Sequence, residues 1–202
     1  FESPADAGTD NVYDVTVQVV DGNGGTDTQA IAVTVTNVNE APVITSAAAV
    51  NAAENQTAVT TVTSSDVDGG APVYTIVGGA DAALFTIDSA SGALTFIGAP
   101  DFEAPADAGA DNVYDVTVQV SDGAGGTDTQ AIAVTVTPVN DNAPVITSNG
   151  GGATVSINAA ENQTTVTTVT ATDADLPAQT ITYSIVGGAD AALFTINASS
   201  GA

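Results

Sequence analysis

The chain repeats itself, and this limits its folds more than any other feature of the sequence. Residues 1–36 recur as 102–137 with only four differences: Ser3, Thr9, Val20 and Asn23 become Ala104, Ala110, Ser121 and Ala124. Asn51–Thr57 recurs as Asn158–Thr164, and Ile76–Ile87 recurs as Ile185–Ile196. A spacing of about 100 residues is too long for a short-repeat solenoid and is the size of one small domain per repeat. Pro-containing hinges phase the repeat: NVNEAPV at 37–43 and PVNDNAPV at 138–145. They predict one complete unit over 41–140. Residues 1–40 would then be the C-terminal half of a preceding unit, and 141–202 the N-terminal part of the next.

The pattern inside each unit is that of strands. Tyr114, Val116, Val118 and Val120 alternate with Asp115, Thr117, Gln119 and Ser121, a period of two that buries one face and wets the other. Ile132, Val134 and Val136 alternate in the same way, and the Gly-rich run 122–126 between them reads as a hairpin loop. Shorter strands are expected at 43–46, 57–63, 73–77, 84–87 and 93–97, rich in the Val, Ile and Thr that favour sheets. No helical period persists over ten residues. The expected fold is all-β: tandem seven-strand Greek-key β-sandwich domains in a linear array.

Charge then narrows the function. The chain carries 24 acidic residues and no Lys, Arg or His, for a formal net charge of −24. Such a surface repels itself at low salt and calls for cations or salt. Nothing in it pairs with phosphate, so nucleic acid and anionic lipid are excluded as partners. There is no apolar run of about 18 residues to cross a membrane, and no leader is seen ahead of Phe1, where the chain opens in mid-pattern. Without Cys there is neither a disulfide framework nor a thiolate metal site. An enzyme would have to work with carboxylates alone. A catalytic pair is expected once, in a cleft, and not copied into every repeat, so the chain is read as non-enzymatic.

The acids gather in loops at repeat positions, where carboxylate and amide oxygens suit a hard cation such as calcium. Four clusters stand out: Glu54-Asn55 with its copy Glu161-Asn162; Asp101-Phe102-Glu103 with Phe1-Glu2; the hinges Asn39-Glu40 and Asn140-Asp141-Asn142; and Asp66-Val67-Asp68 with Asp173-Ala174-Asp175. In this order the clusters resemble those of the cadherin repeat family, including the cadherin-like repeats of large bacterial surface adhesins, and the resemblance covers the whole chain. It maps Glu54 onto the family's Glu near the first strand, and Asp101 and Glu103 onto its acid-x-Glu. It maps Asn140, Asp141 and Asn142 onto the linker, Asp173 and Asp175 onto the following Asp-x-Asp, and Asp122 and Asp21 onto the Asp after the sixth strand.

The resemblance implies calcium ions, about three in the family, bound where domains meet. At the second junction the ligands would be Glu54, Asp101, Glu103, Asn140, Asp141, Asn142, Asp173 and Asp175. At the first they would be Glu2, Asn39, Glu40, Asp66, Asp68 and Asp122. Both linkers depart from the family pattern, with Pro138 and Asn37 where it leads with Asp. The first is also one residue shorter, with Glu40 in place of Asp141, so fewer or weaker ions are expected there.

The remaining motifs have plainer readings. Asn55-Gln56-Thr57, Asn162-Gln163-Thr164 and Asn197-Ala198-Ser199 match the glycosylation sequon, and the first two overlap the ligand motif. Asp6, Asp10, Asp14, Asp81 and Asp88 are expected to be solvated charge that deters edge-to-edge strand pairing. A further site among Asp107, Asp111 and Asp115 has no support from spacing. The functional expectation is a calcium-stiffened stalk, an extender of a secreted or surface-anchored bacterial adhesin, whose partners are calcium and neighbouring repeats of the same chain. The alternative is a self-assembling extracellular matrix filament, a fibre, or a homophilic cell-adhesion module.

Overall fold

The computed structural model describes all 202 residues. It contains strands, turns and three short 3-10 turns, with no α-helix. Two antiparallel nine-residue strands come first, β1 (Val12–Val20) and β2 (Thr26–Thr34), paired from Val12↔Thr34 to Val20↔Thr26. Nine strands follow: β3 (Val43–Ile44), β4 (Ala49–Ala53), β5 (Ala58–Thr61), β6 (Ser64–Ser65), β7 (Val73–Gly78), β8 (Phe85–Ile87), β9 (Ala93–Phe96), β10 (Val113–Ser121) and β11 (Thr127–Thr137). Towards the end of the chain, β12 (Val145–Ile146) pairs with β13 (Ala171–Thr172).

Strands β3 to β11 close a two-layer sandwich. One sheet has the order β4-β11-β10-β7. Facing it are β5-β9-β8 and the short pair β3-β6. The alternation in β10 and β11 makes the core: Tyr114, Val116, Val118, Val120, Ile132, Val134 and Val136 are all buried. They meet Val62, Tyr74, Phe85, Leu94 and Phe96 from the other elements. Each fully buried aliphatic side chain of this kind contributes about 1.5–3 kcal/mol. Phe85 stacks on Phe96 with centroids 4.7 Å apart, and Tyr114 packs edge-on against Phe96 at 5.2 Å. The Tyr114 hydroxyl accepts the Ala106 N–H at 3.2 Å, which satisfies its polar end.

The structure revises the expected strands at two points. An unforeseen strand, β4, runs parallel to β11, from Ala133↔Ala49 to Thr137↔Ala53. The strand expected over 57–63 ends early, as β5 at Ala58–Thr61 on β9, and a separate unforeseen strand, β6, crosses to β3. The hairpin β1–β2 matches β10–β11 residue for residue in register. Yet Val15, Val17, Val19, Ile31 and Val33 are exposed where Val116, Val118, Val120, Ile132 and Val134 are buried, since no second layer covers them. Residues 181–186 and 194–196 repeat the sequences around β7 and β8 but form no ladder. A strand needs a neighbour to satisfy its backbone, and their neighbours in the sandwich, β9 and β10, have no counterpart paired with them.

Two acids expected to be solvated are buried. Asp81 is 5% exposed and accepts the Ala108 and Asp115 N–H groups at 2.7 and 2.8 Å. Asp6 is 9% exposed and accepts the Asp10 and Asn11 N–H groups. Asp107, its repeat copy, is likewise buried and accepts those of Asp111 and Asn112 at 3.1 Å each. Burial pushes the Asp107 carboxyl up, but these N–H donors outweigh it and hold it below the usual carboxylate range. Asp111 in turn accepts the Val113 N–H. The Asp107–Asp111 oxygens therefore build a turn.

Candidate metal centres at the two linkers

At the second linker, the end of β4 places Glu54 beneath the chain. Glu54 is 3% exposed. Its Oε2 accepts the Phe102 N–H at 2.8 Å, and its Oε1 accepts the Val139 N–H at 2.6 Å. One carboxylate thus ties the 101–103 loop and the start of the linker to the end of β4. Asn55 adopts a left-handed backbone (φ 63°), the exit that lets its amide reach Asp141 Oδ2 at 2.7 Å. Carboxylate oxygens of Glu54, Glu103 and Asp141 lie within 4.8 Å of one another. Glu103 Oε1 accepts the Leu176 N–H at 2.9 Å, a direct bond across the linker. Its Oε2 is buried with no partner, an orphaned acceptor on one member of this oxygen cluster.

Asp175, 1% exposed, organises the far side. Its Oδ1 accepts the N–H and the side-chain amide of Asn142, both at 3.0 Å. Burial raises its pKa, but the Asn142 donors and the Asp141 N–H outweigh burial and hold the group ionised at lower pH than usual. Asp173 Oδ1 accepts the Asp175 N–H at 3.2 Å. Asn140 donates to Gln179 at 2.9 Å. Asp101 is the outlying member: it is exposed, and its Oδ1 caps the Glu103 and Ala104 N–H groups.

At the first linker, oxygens of Glu2, Glu40 and Asp68 lie within 4.8 Å of one another. Asp68 Oδ1 accepts the Asn37 amide at 2.8 Å, and Asp68 Oδ2 accepts the Glu40 N–H at 2.7 Å. These two donors lower the Asp68 pKa. Burial raises that of Glu40, and the neighbouring Asp68 carboxylate raises it further. Asp122 has two roles. Its Oδ1 accepts the N–H groups of Ala124, Gly125 and Gly126, shaping the β10–β11 turn, and its Oδ2 accepts the Asn39 amide at 2.7 Å. The Asn39 amide is the main reason its pKa is lowered. Asp66 and Asp122 line one small polar cavity with Pro42, Ser64, Gly69, Gly70 and Pro72. Asp66 Oδ1 accepts the Asp68 N–H at 2.9 Å, while its Oδ2 is buried and unpartnered.

The residues expected at each linker are therefore gathered there, apart from the outlying Asp101. Two participants carry no charge and were not foreseen, Asn37 and Gln179. Asn37 fills the place of a family Asp, and Gln179 lies four residues beyond Asp175. With oxygen-only donors, clustered carboxylates and a buried orphan oxygen at each linker, the donor set fits a hard divalent cation.

Residues 39–135 match the bacterial Ig domain family. Human Protocadherin Fat 1 is 35% identical over 140 residues, covering 66% of this chain and 3% of that protein. Rabbit Cadherin-16 is 39% identical over 132 residues, covering 59% of this chain and 15% of that protein. The chain thus spans a small part of the curated relatives it matches. Among solved structures, the cis-dimer of protocadherin gammaB7 EC3-6 superposes with a TM-score of 0.69 at 26% identity, over 96% of this chain and half (50%) of that one. The extracellular cadherin domains 3-6 of protocadherin gamma B2 superpose with a TM-score of 0.67 at 24% identity, over 96% and 50%. The fold is a cadherin-like, Ig-type sandwich, as the sequence pattern led us to expect.

Proposed function

We propose that this chain is a non-enzymatic, calcium-stiffened spacer of an extracellular adhesion protein, with calcium held at its two linkers. In this reading 41–140 is a complete repeat, 1–40 the C-terminal half of the one before it and 141–202 the N-terminal part of the one after. The observation that carries the proposal is the convergence of Glu54, Glu103 and Asp141 within 4.8 Å, beside the buried, unpartnered Glu103 Oε2. These acids come from three stretches far apart in sequence, and three carboxylates so close repel one another strongly unless a cation lies among them.

At the second linker, Glu54, Glu103 and Asp141 would hold the ion, with Asn140, Asn142, Asp173 and Asp175 completing the shell and Asp101 at its edge. At the first, Glu2, Glu40 and Asp68 would do so, with Asn39, Asp66 and Asp122 beside them. The bound ion supplies positive charge that cancels the repulsion. The chain's own part is to bring oxygens from both sides of a linker to one point, so that binding restrains the angle between neighbouring units. Affinities of about 10⁻⁴ to 10⁻³ M are usual for extracellular calcium modules. Calorimetry on the 202-residue chain tests the reading, together with solution scattering with and without calcium. Uptake with a longer, narrower scattering envelope is expected. No uptake at about 10 mM calcium, or an unchanged envelope, overturns it.

Surface anchoring on a bacterial adhesin belongs to the same reading, supported by the match to the bacterial Ig domain family and by the near-identity of successive repeats, since a spacer needs length rather than distinct surfaces. A second reading is self-association into fibres, favoured by the cis-dimer in which the similar protocadherin gammaB7 EC3-6 is found. A concentration-dependent sedimentation coefficient would support fibres, and a constant one the monomeric spacer.

A further inference from the structure

The two linkers differ in what holds their acids. In the loop after Asp175, the fourth residue is Gln179, whose side-chain amide works in two directions. Its Nε2 donates to Asp175 Oδ2 at 3.1 Å, and its Oε1 accepts the Asn140 amide at 2.9 Å. In the loop after Asp68, the fourth residue is Pro72, preceded by Gly69, Gly70 and Ala71. No side chain there can form such a bridge, and Asn39, the counterpart of Asn140, donates to Asp122 instead.

Two consequences follow from the donor and acceptor chemistry of the amides. An Asn140 that gives its NH₂ to Gln179 has its carbonyl oxygen turned away from Gln179, free to face a cation. An Asp175 whose Oδ1 is held by Asn142 and whose Oδ2 is held by Gln179 cannot rotate its carboxylate. Ordering these groups in advance removes part of the entropic cost of binding.

We propose that Gln179 is a positioning residue of the second linker. It fixes Asn140 and Asp175 relative to each other, so that this linker takes up calcium at lower concentration than it would without the bridge. The proposal rests on the calcium reading above, and its test separates the two.

The first linker is silenced by Glu40→Gln with Asp68→Asn in the 202-residue chain, and calcium uptake is then measured by calorimetry with and without Gln179→Ala. Gln179 is exposed, so its replacement leaves folding intact. The expected result is a Kd raised about three- to tenfold, the equivalent of one to two hydrogen bonds, with the urea midpoint in chelator unchanged. An unchanged Kd overturns the proposal. So does a lower urea midpoint in chelator that accounts for the weaker binding, since Gln179 would then only support the fold. Absence of uptake before Gln179 is altered overturns the calcium reading itself, and the proposal with it.

Discussion

Glu54 accepts the Val139 N–H at 2.6 Å, so a buried carboxylate just past the end of β4 holds the first residues of the linker that follows β11. The same side chain accepts the Phe102 N–H. Glu54 therefore has a structural duty even when no cation is bound. Glu54→Ala leaves two N–H groups without their acceptor, at a cost of about 1–3 kcal/mol each. The expected loss is about 2–6 kcal/mol, read from urea unfolding in chelator. Glu54→Gln keeps one acceptor oxygen and is expected to lose about half as much.

Calcium should raise the stability of the sandwich by linkage, because an unfolded chain gathers no such oxygen cluster. With a Kd of about 0.1–1 mM, about 10 mM calcium contributes about 1.4–2.7 kcal/mol per site. Thermal unfolding checks this, provided sodium chloride is used to match ionic strength. Equal shifts in both salts would mean that only the −24 charge is being screened.

The first linker should respond to pH in two opposite ways. The Glu40 pKa is raised above 4.5 by burial and by Asp68. In the absence of calcium, its contribution to linker order is fully present below that value and is lost as pH rises through the raised pKa. The Asp68 pKa is lowered below 3.8, chiefly by the Asn37 amide. Its contribution is present above that value and lost as pH falls through the lowered pKa. Calcium competes with the Glu40 proton, so uptake should weaken as pH falls through the raised value. Carboxyl NMR titration reads both groups, and Asp68→Asn should bring the Glu40 pKa down.

The sequence pattern revealed some of this better than the rest. β10 and β11 were legible because Tyr114, Val116, Val118, Ile132 and Val134 alternate with polar residues. β4 was not, because Ala49, Asn51 and Ala52 have little preference for strands. They form one because β11 offers a parallel edge some eighty residues away in the chain. The acid clusters were legible through their copies at repeat positions. Which acids converge was decided by linker conformation, which leaves Asp101 at the margin and brings Glu103 into the cluster. Gln179 was hidden because it is uncharged and its loop differs from the earlier copy. Asp81 was misread as solvated charge because its two acceptor bonds, to Ala108 and Asp115, depend on contacts distant in sequence.

Gly92 offers a test of the sandwich independent of any cation. Its backbone is left-handed (φ 72°), and a Cβ added there would overlap the Val62 carbonyl and press on the Tyr74 ring at 3.2 Å. That carbonyl sits where the chain passes from β5 to β6. Close approach is needed because the Val62 N–H donates to the Gly92 carbonyl at 2.8 Å. Gly92→Ala therefore meets both an unfavourable φ and a backbone atom that cannot yield without breaking this bond. A loss greater than about 1 kcal/mol is expected, visible as a lower urea midpoint whether or not calcium is present. Gly98→Ala is the control, since nothing lies within 4 Å of a Cβ there and its backbone φ is not positive. A Gly92→Ala midpoint no lower than that of the control would show that the β5–β6 crossing is looser than described.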